Sequence, residues 1–193
     1  MSRLSPAAPI TALTYASASR VDGILADICG HLASEGFALA GLVQKAKPRP
    51  GRSRCDMILE DLGSGEQIEI SQDRGPLARG CMLAMPQLMH ALELATRSLD
   101  DACDLLVINK FGKTEAEGGG FRPLIVEAMN RGVPVLIAVP ACNLESWRHF
   151  AQGLAFEVSV ENLAEDAAAA CRHLQFQTTS QTGQAVTPLD ALT

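Results

Sequence analysis

The amino-acid sequence predicts a three-layer α/β domain with a mainly parallel β-sheet. Two continuous apolar runs, "DLLVIN" at 104–109 and "VPVLIAV" at 133–139, are typical of strands that are buried on both faces. Segments with helical periodicity alternate with such strands along the chain, and this alternation favours parallel pairing. The 193 residues and the hydrophobic fraction of 47% suit one domain of ordinary size.

The first half of the chain is predicted to form a strand, a helix, a second strand and a β-hairpin. The strands take residues 10–15 and 37–43, and the hairpin takes residues 55–71. The helix begins after a capping serine, Ser17 or Ser19, and ends at Gly36. A Gly-Ser-Gly turn joins the two hairpin strands. A basic loop at 44–54 precedes the hairpin, and a polar loop at 72–80 follows it.

The second half of the chain is predicted to alternate helices with strands. The helices begin at Pro86, near Phe121, after Asn143 and near Glu161, and the strands take residues 104–109, 133–139 and 156–160. Gly132 ends the second of these helices. Residues 110–120 form a polar loop. The segment 176–193 is rich in Thr, Gln and Ser and is predicted to be a disordered tail, so the domain spans residues 1–175.

The charge and the cysteine spacing argue against several classes of function. The formal net charge of -6 disfavours binding to nucleic acid or to an anionic membrane. The sequence contains no run of about 18 apolar residues, so no membrane span is predicted. The first residues lack the apolar segment of a secretory signal. The six cysteines show neither CxxC nor zinc-finger spacing, so reduced cysteines in a cytoplasmic protein are expected.

Function is expected in the loops after Tyr15, Asn109 and Val139, because ligands bind at the carboxyl ends of parallel strands. Phosphate-binding loops after a first strand supply glycines and a lysine in the pattern G-x-x-x-x-G-K-[ST]. The segment "YASASRVDG" has no lysine, and its cation is Arg20. Asp22 repels phosphate, whereas the N–H groups at a helix start attract an anion. An ordinary capped helix start is the alternative.

The loop "NKFGKTEAEGGGFR" after the buried strand is predicted to bind an anion. The candidate ligand-binding residues are Lys110, Lys113, Gly118, Gly119, Gly120 and Arg122, together with Arg20, Arg74 and Arg79 from other loops. Consecutive glycine N–H groups before a helix form a nest that attracts anions. Glu115 and Glu117 oppose this interpretation by pairing with the lysines or by holding a metal. A solvated loop with internal ion pairs is the alternative.

The segments "CDMILEDL", "EISQDRG" and "NKFGKTEAEGGGFR" together resemble a bacterial family of unknown function, over about residues 10–154. More distantly, the layout resembles the P-loop nucleoside-triphosphatases, whose acidic strand is followed by Gly-Lys, as at Gly112 and Lys113. This resemblance implies a degenerate P-loop NTPase-like fold. The chain departs from that class at residues 16–22, which lack the Walker A glycines and lysine, and at Asn109-Lys110, which replace an acidic pair. Some members of the closer family look to be associated with molybdenum uptake genes.

These features favour a non-catalytic or weakly catalytic protein that binds a phosphorylated small molecule, a nucleotide or another oxyanion. Two alternatives stay open. One is a regulatory or scaffold homo-oligomer, expected as a homodimer, in which the hairpin supplies an edge strand for pairing. The other is a divergent magnesium-dependent nucleoside-triphosphatase. The sequence identifies no cofactor, and no residue is assigned to a metal.

Overall fold

The fold is seen in a computed structural model. It describes residues 4, 8–17, 20–47, 56–70, 85–100, 102–164, 166–174 and 176. The polar loop predicted at 72–80, the predicted tail beyond residue 176 and Ser19 lie outside the described residues, as do Cys55 and Cys81.

The described residues form a sheet flanked by helices. The strands are β1 (Ile10–Tyr15), β2 (Leu39–Lys47), β3 (Asp56–Asp61), β4 (Gln67–Glu69), β5 (Leu105–Ile108), β6 (Val135–Pro140) and β7 (Ala155–Ser159). The helices are α1 (Val21–Ser34), α2 (Met85–Asp100), α3 (Lys113–Ala116), α4 (Arg122–Asn130), α5 (Leu144–Ala151) and α6 (Ala167–His173). Short 3₁₀ turns precede α5 at Ala141–Asn143 and follow β7 at Val160–Asn162.

Within the described residues the sheet has seven strands in the order β4-β3-β2-β5-β6-β1-β7. The neighbours from β2 through β5, β6 and β1 to β7 are parallel. β3 is antiparallel to β2, and β4 is antiparallel to β3, so these two strands form the hairpin. The predicted mainly parallel sheet with a β-hairpin is therefore confirmed.

The central strands are buried on both faces because helices cover each side of the sheet. Side chains of β5 alternate between two cores, as a period of two requires. Leu106 and Ile108 face the core that contains α2, α4 and α5. Leu105 and Val107 face the core that contains α1 and α6. This packing fixes the strand ends, and with them the loops at the carboxyl edge.

Most element bounds lie within about two residues of the sequence predictions, and three differences are larger. β2 continues to Lys47 rather than ending at residue 43, because its second half pairs with β3 and Lys45 forms an ion pair with Glu60. The loop predicted at 110–120 contains the one-turn helix α3. The last helix starts at Ala167 rather than near Glu161, because Asp166 caps it by accepting the Ala169 amide at 2.7 Å.

The described cysteines are free thiols. Cys29 and Cys171 are buried, and burial raises the pKa of Cys29 to about 12 and that of Cys171 to about 11. Both therefore stay protonated, as expected of reduced core cysteines. Cys142 is exposed at the carboxyl edge of the sheet. No helix among the described residues is long and apolar enough to cross a membrane.

Gly41 lets β2 and β5 approach closely. It has φ +100, and a Cβ built on it would lie 1.9 Å from the carbonyl oxygen of Val107. We expect Gly41→Ala to lower the free energy of unfolding by about 2–4 kcal/mol through overpacking and backbone strain. Gly30 lies inside α1 with no heavy atom within 4 Å of such a Cβ. Gly30→Ala should therefore raise stability by up to about 1 kcal/mol.

Urea unfolding of the two glycine variants and the wild type measures this difference. Equal effects of the two substitutions would contradict the close packing of β2 against β5.

Candidate functional site

The carboxyl ends of β5, β6 and β1 lie side by side, because these strands are parallel neighbours. The chain leaves them at Asn109, Ala141 and Ala16, so the loops that follow meet at one edge of the sheet. Ligands of open α/β sheets bind outside this edge. The first turn of α1 and Gln44 of β2 face the same region, and together these groups form the candidate site.

Asn109 joins β5 to β2 at this edge. Its side chain is 8% exposed, and its Oδ1 accepts the backbone amide of Gln44 at 2.8 Å. The parallel pairing of the two strands ends with Leu42 opposite Ile108. The Asn109 side chain therefore supplies a partner for β2 just beyond that pairing. An asparagine makes this contact without a negative charge, whereas the resemblance to P-loop nucleoside-triphosphatases implies an acidic residue at this position.

Asp22 approaches the same groups from the first turn of α1. Its Oδ2 accepts a hydrogen bond from Gln44 Nε2 at 3.0 Å. Burial raises the pKa of Asp22 above its ordinary value, while the charge of Lys110 and a hydrogen bond with the Asn109 side chain act in the opposite direction. Asp22 thus links α1 to β2 and β5, with a cation close by.

Lys110 and Tyr15 complete this cluster. Lys110 is exposed, and its charge acts on Asp22. Tyr15 is buried at the end of β1, and burial, followed by the charges of Asp22 and Cys142, raises the pKa of its hydroxyl to about 12. The phenol is therefore neutral near pH 7 and offers an O–H donor. The charge of Lys110 thus acts across the loops on the first turn of α1.

Glu115 closes the loop between Lys110 and α4. It is only 5% exposed, and its two carboxylate oxygens accept the Gly112 amide at 2.8 Å and the Phe121 amide at 3.0 Å. The Glu115 carboxylate is therefore bound by amides of its own loop. Among the described residues, no group of three or more His, Cys, Asp or Glu side chains is arranged to hold a metal ion.

The three glycines form the turn that leads back over Glu115. The Gly118 amide donates to the Glu115 carbonyl at 3.1 Å, and the Gly119 amide donates to the Thr114 carbonyl at 2.9 Å. The predicted nest requires N–H groups that are free to bind an anion, whereas these two N–H groups are already hydrogen-bonded within the loop. Ligand binding by Gly118, Gly119 and Gly120 stays a prediction.

The other predicted cations point to different neighbours. Lys113 is 86% exposed, and its Nζ lies 3.6 Å from Glu117 Oε1. The Arg122 guanidinium lies 4.3 Å from the ring centroid of Phe150 and donates to the Glu115 carbonyl at 3.4 Å. Arg20 precedes α1 and is exposed. Arg74 and Arg79 lie outside the described residues.

An aromatic cluster packs around Phe111 of this loop. Trp147 is fully buried and contacts Phe111 edge to face, with ring centroids 5.3 Å apart. Phe150 stacks on Phe111 at 5.8 Å. Asn143, which is predicted to cap α5, makes no side-chain cap and instead donates from Nδ2 to the Phe111 carbonyl at 2.9 Å. Phe111 is thereby fixed next to Lys110.

The cluster offers both signs of charge to a ligand. Lys110 and Arg20 are cations, and their charges lower the pKa of Asp22 and of Glu161, respectively. Tyr15 supplies a neutral donor.

Gln44 and Glu161 are absent from the residues predicted for the site. Gln44 is the first residue of the loop predicted at 44–54. It contacts Asp22 because β2 extends further than predicted. Glu161 depends on the pairing of β7 with β1, for which the sequence carries no local signal.

The comparison with solved structures shows the fold class. A human cancer-related nucleoside triphosphatase superposes with a TM-score of 0.58 at 19% identity, over 84% of this chain and 94% of that chain. THEP1 from the hyperthermophile Aquifex aeolicus superposes with a TM-score of 0.51 at 16% identity, over 86% of this chain and 99% of that chain. The protein therefore has a P-loop NTPase-like α/β fold.

Residues 10–167 match the family described as "Protein of unknown function (DUF2478)", and the chain belongs to this family. A curated relative is the "Molybdenum import ATP-binding protein ModC 2" of Bradyrhizobium diazoefficiens, which is 34% identical over 145 residues. The matched stretch makes up 75% of this chain and 16% of that relative. The chain thus spans a small part of the longer protein.

Gly120 tests the closure of the loop by Glu115. It has φ +61, and a Cβ there would lie 1.9 Å from Glu115 Oε1, whereas a Cβ on Gly119 meets its nearest atom at 3.5 Å. We expect Gly120→Ala to break the bond from the Phe121 amide and to cost about 1–3 kcal/mol of stability. Gly119→Ala should cost less. Urea unfolding and hydrogen exchange at the Phe121 amide measure both effects, and equal protection of that amide in the two variants would contradict the closure.

Asp22 predicts a pH dependence of stability. Its pKa is raised in the folded state, so its contribution to stability is fully present below the ordinary pKa of 3.8 and is lost as the pH rises through the folded-state pKa. Asp22→Asn removes this loss, so its stability relative to the wild type should rise across that window and then level off. Asp27→Asn, on the exposed face of α1, is the control. Urea unfolding at a series of pH values measures the free energy of unfolding of each protein. A difference between Asp22→Asn and the wild type that does not change with pH would contradict the raised pKa.

Proposed function

We propose that this protein binds a small phosphorylated ligand, a nucleotide or another oxyanion, at the carboxyl edge of its sheet. The observation that carries the proposal is the position of Lys110. Its charge acts on Asp22 in the first turn of α1, on a fold that the chain shares with a nucleoside triphosphatase. Two loops that follow parallel strands thereby present cations to one region.

The groups around Lys110 suit recognition of anionic oxygens. Lys110 supplies a positive charge from β5, and Arg20 supplies one at the start of α1. The helix start adds N–H groups and the positive end of its dipole. The neutral Tyr15 hydroxyl adds a further donor. We expect the ligand to lie between the two loops that carry these groups.

The sequence at the two decisive positions favours binding over hydrolysis. Residues 16–22 contain no lysine and no glycine, so the Walker A pattern is missing. Asn109 replaces the acidic residue that would hold magnesium and orient water. A binding protein, rather than an efficient triphosphatase, is therefore our proposal.

The curated relative supports two ligand classes. Its printed name links the longer protein to ATP binding and to molybdenum import. The matched segment is one part of that protein, so either a nucleotide or the molybdate oxyanion is a candidate ligand. Both carry tetrahedral anionic groups that Lys110 and Arg20 can bind.

Isothermal titration calorimetry with ATP and magnesium, molybdate, phosphate and sulfate tests the proposal. We expect saturable binding to at least one ligand, and a loss of about tenfold to 100-fold in affinity for Lys110→Ala, the size of a charge-assisted hydrogen bond. Lys113→Ala should lose less, because Lys113 is exposed and pairs with Glu117. Arg97→Ala removes the same charge from α2, where Arg97 pairs with Glu93, and is the control.

Two outcomes would count against this function. One is the absence of binding heat with every ligand. The other is an equal loss in Lys110→Ala and Arg97→Ala, which would reduce the effect to net charge.

The homodimer and the cytoplasmic location stay predictions. Among the described residues β4 is the last strand on its side of the sheet, and pairing through the hairpin would use this strand.

A further inference from the structure

The backbone after β5 carries one extra residue relative to the neighbouring strand β6. The Leu106 amide donates to the Pro134 carbonyl at 2.9 Å. The Phe111 amide donates to the Ala138 carbonyl at 2.8 Å. Between these two bonds the chain advances five residues on one side, from 106 to 111, but four on the other, from 134 to 138. Because the bonds of a regular parallel ladder are evenly spaced, the extra residue makes a step like that of a β-bulge at Asn109-Lys110.

Both chain neighbours of Lys110 are bound to the strands on either side of β5. Asn109 Oδ1 accepts the Gln44 amide of β2 at 2.8 Å. Phe111 donates its amide to Ala138 of β6, and its ring is fully buried against two aromatic rings of α5. Successive Cα atoms lie about 3.8 Å apart, so two bound neighbours leave the Lys110 backbone little room to move.

The Lys110 side chain passes over Gly112. A Cβ built on Gly112 would lie 3.9 Å from Lys110 Cε and 3.1 Å from Glu115 Oε2. Gly112 is itself held in place, because its amide donates to Glu115 Oε2 at 2.8 Å. The stem of the lysine therefore packs on a fixed turn, while Lys110 as a whole stays exposed.

Asn143 binds the far side of this step from a neighbouring loop. It ends the 3₁₀ turn that follows β6, and its Nδ2 donates to the Phe111 carbonyl at 2.9 Å. Phe111 is thus held through its amide by β6 and through its carbonyl by the turn after β6. Asn143 makes no side-chain cap of α5, so its amide group serves the contact between the two loops instead.

We propose that Asn143 is a positioning residue for Lys110. By holding Phe111, it keeps the step at Asn109-Lys110 in one conformation, so the lysine is in place before a ligand arrives. Groups that are already ordered bind more tightly, because binding does not have to immobilise them. This inference rests on the proposed function and adds the contribution of the loop after β6 to the affinity of the site.

A double-mutant cycle measures whether Asn143 acts through Lys110. Magnesium ATP and molybdate are titrated into the wild type, Asn143→Ala, Lys110→Ala and the double variant, by calorimetry or, for weak binding, by NMR. We expect Asn143→Ala to lower the affinity of the wild type about threefold to tenfold, the size of one hydrogen bond between neutral groups. In the Lys110→Ala background the same change should cost less than about twofold.

Asn130→Ala is the matched control. Asn130 is exposed and ends α4, on a helix that leads away from the carboxyl edge. The control should leave the affinity for both probes within about twofold of the wild type, because surface substitutions of this kind have small effects.

Backbone NMR relaxation reports on Lys110 without any ligand. The order parameter of the Lys110 amide should be about 0.85 in the wild type and in Asn130→Ala, as in rigid backbone, and should fall below about 0.6 in Asn143→Ala. A residue that only stabilised the fold would not loosen this amide selectively. A flexible Lys110 amide in the wild type, or an equally ordered one in Asn143→Ala, would overturn the inference.

The outcomes separate the inference from the function on which it rests. If Asn143→Ala has no effect on affinity, or the same effect in both backgrounds, the inference is overturned and the function stands. A loss confined to the background that contains Lys110, with a loosened Lys110 amide, supports the inference. If the wild type binds neither probe, the result counts against the proposed function, and the order parameters alone then decide whether Asn143 positions Lys110.

Discussion

The hydrogen bonds of the Asn109 side chain hold the candidate site together. Asn109 follows β5 and accepts the Gln44 amide of β2, and its side chain also lowers the pKa of Asp22 in α1. Gln44 in turn donates from its own side chain to Asp22. Three elements are thus tied together where their loops meet. Lys110 is the next residue in the chain, so its position at the start of α1 follows from the same contacts.

An internal carboxylate satisfies loop amides that would otherwise be open to an external anion. Glu115 does so by accepting the Gly112 and Phe121 amides. P-loop proteins leave such amides to phosphate. Residues 16–22 likewise lack the lysine and the glycines of a phosphate-binding loop.

Much of the fold follows from local patterns in the sequence. The bounds of β1, the hairpin and the end of α4 shortly before Gly132 follow from apolar runs, turn residues and a glycine after a helix. The extension of β2 to Lys47 depends on pairing with β3, and α3 depends on the burial of Glu115. Both are contacts between distant or irregular segments, which hydrophobic periodicity does not predict. The site was predictable as two loops, because parallel strands align their carboxyl ends. Gln44 and Glu161 were not predictable, because each reaches the site through the pairing of a strand.

A crystal structure with a bound ligand tests the central claim most directly. Tungstate, the heavy analogue of molybdate, and a non-hydrolysable ATP analogue with magnesium are suitable probes, at concentrations that saturate the protein in calorimetry. We expect the anionic group within hydrogen-bonding reach of Lys110 Nζ, between the loops that follow β1 and β5. An anion bound at another surface of the chain, with the region around Lys110 and Asp22 unchanged, would contradict the claim.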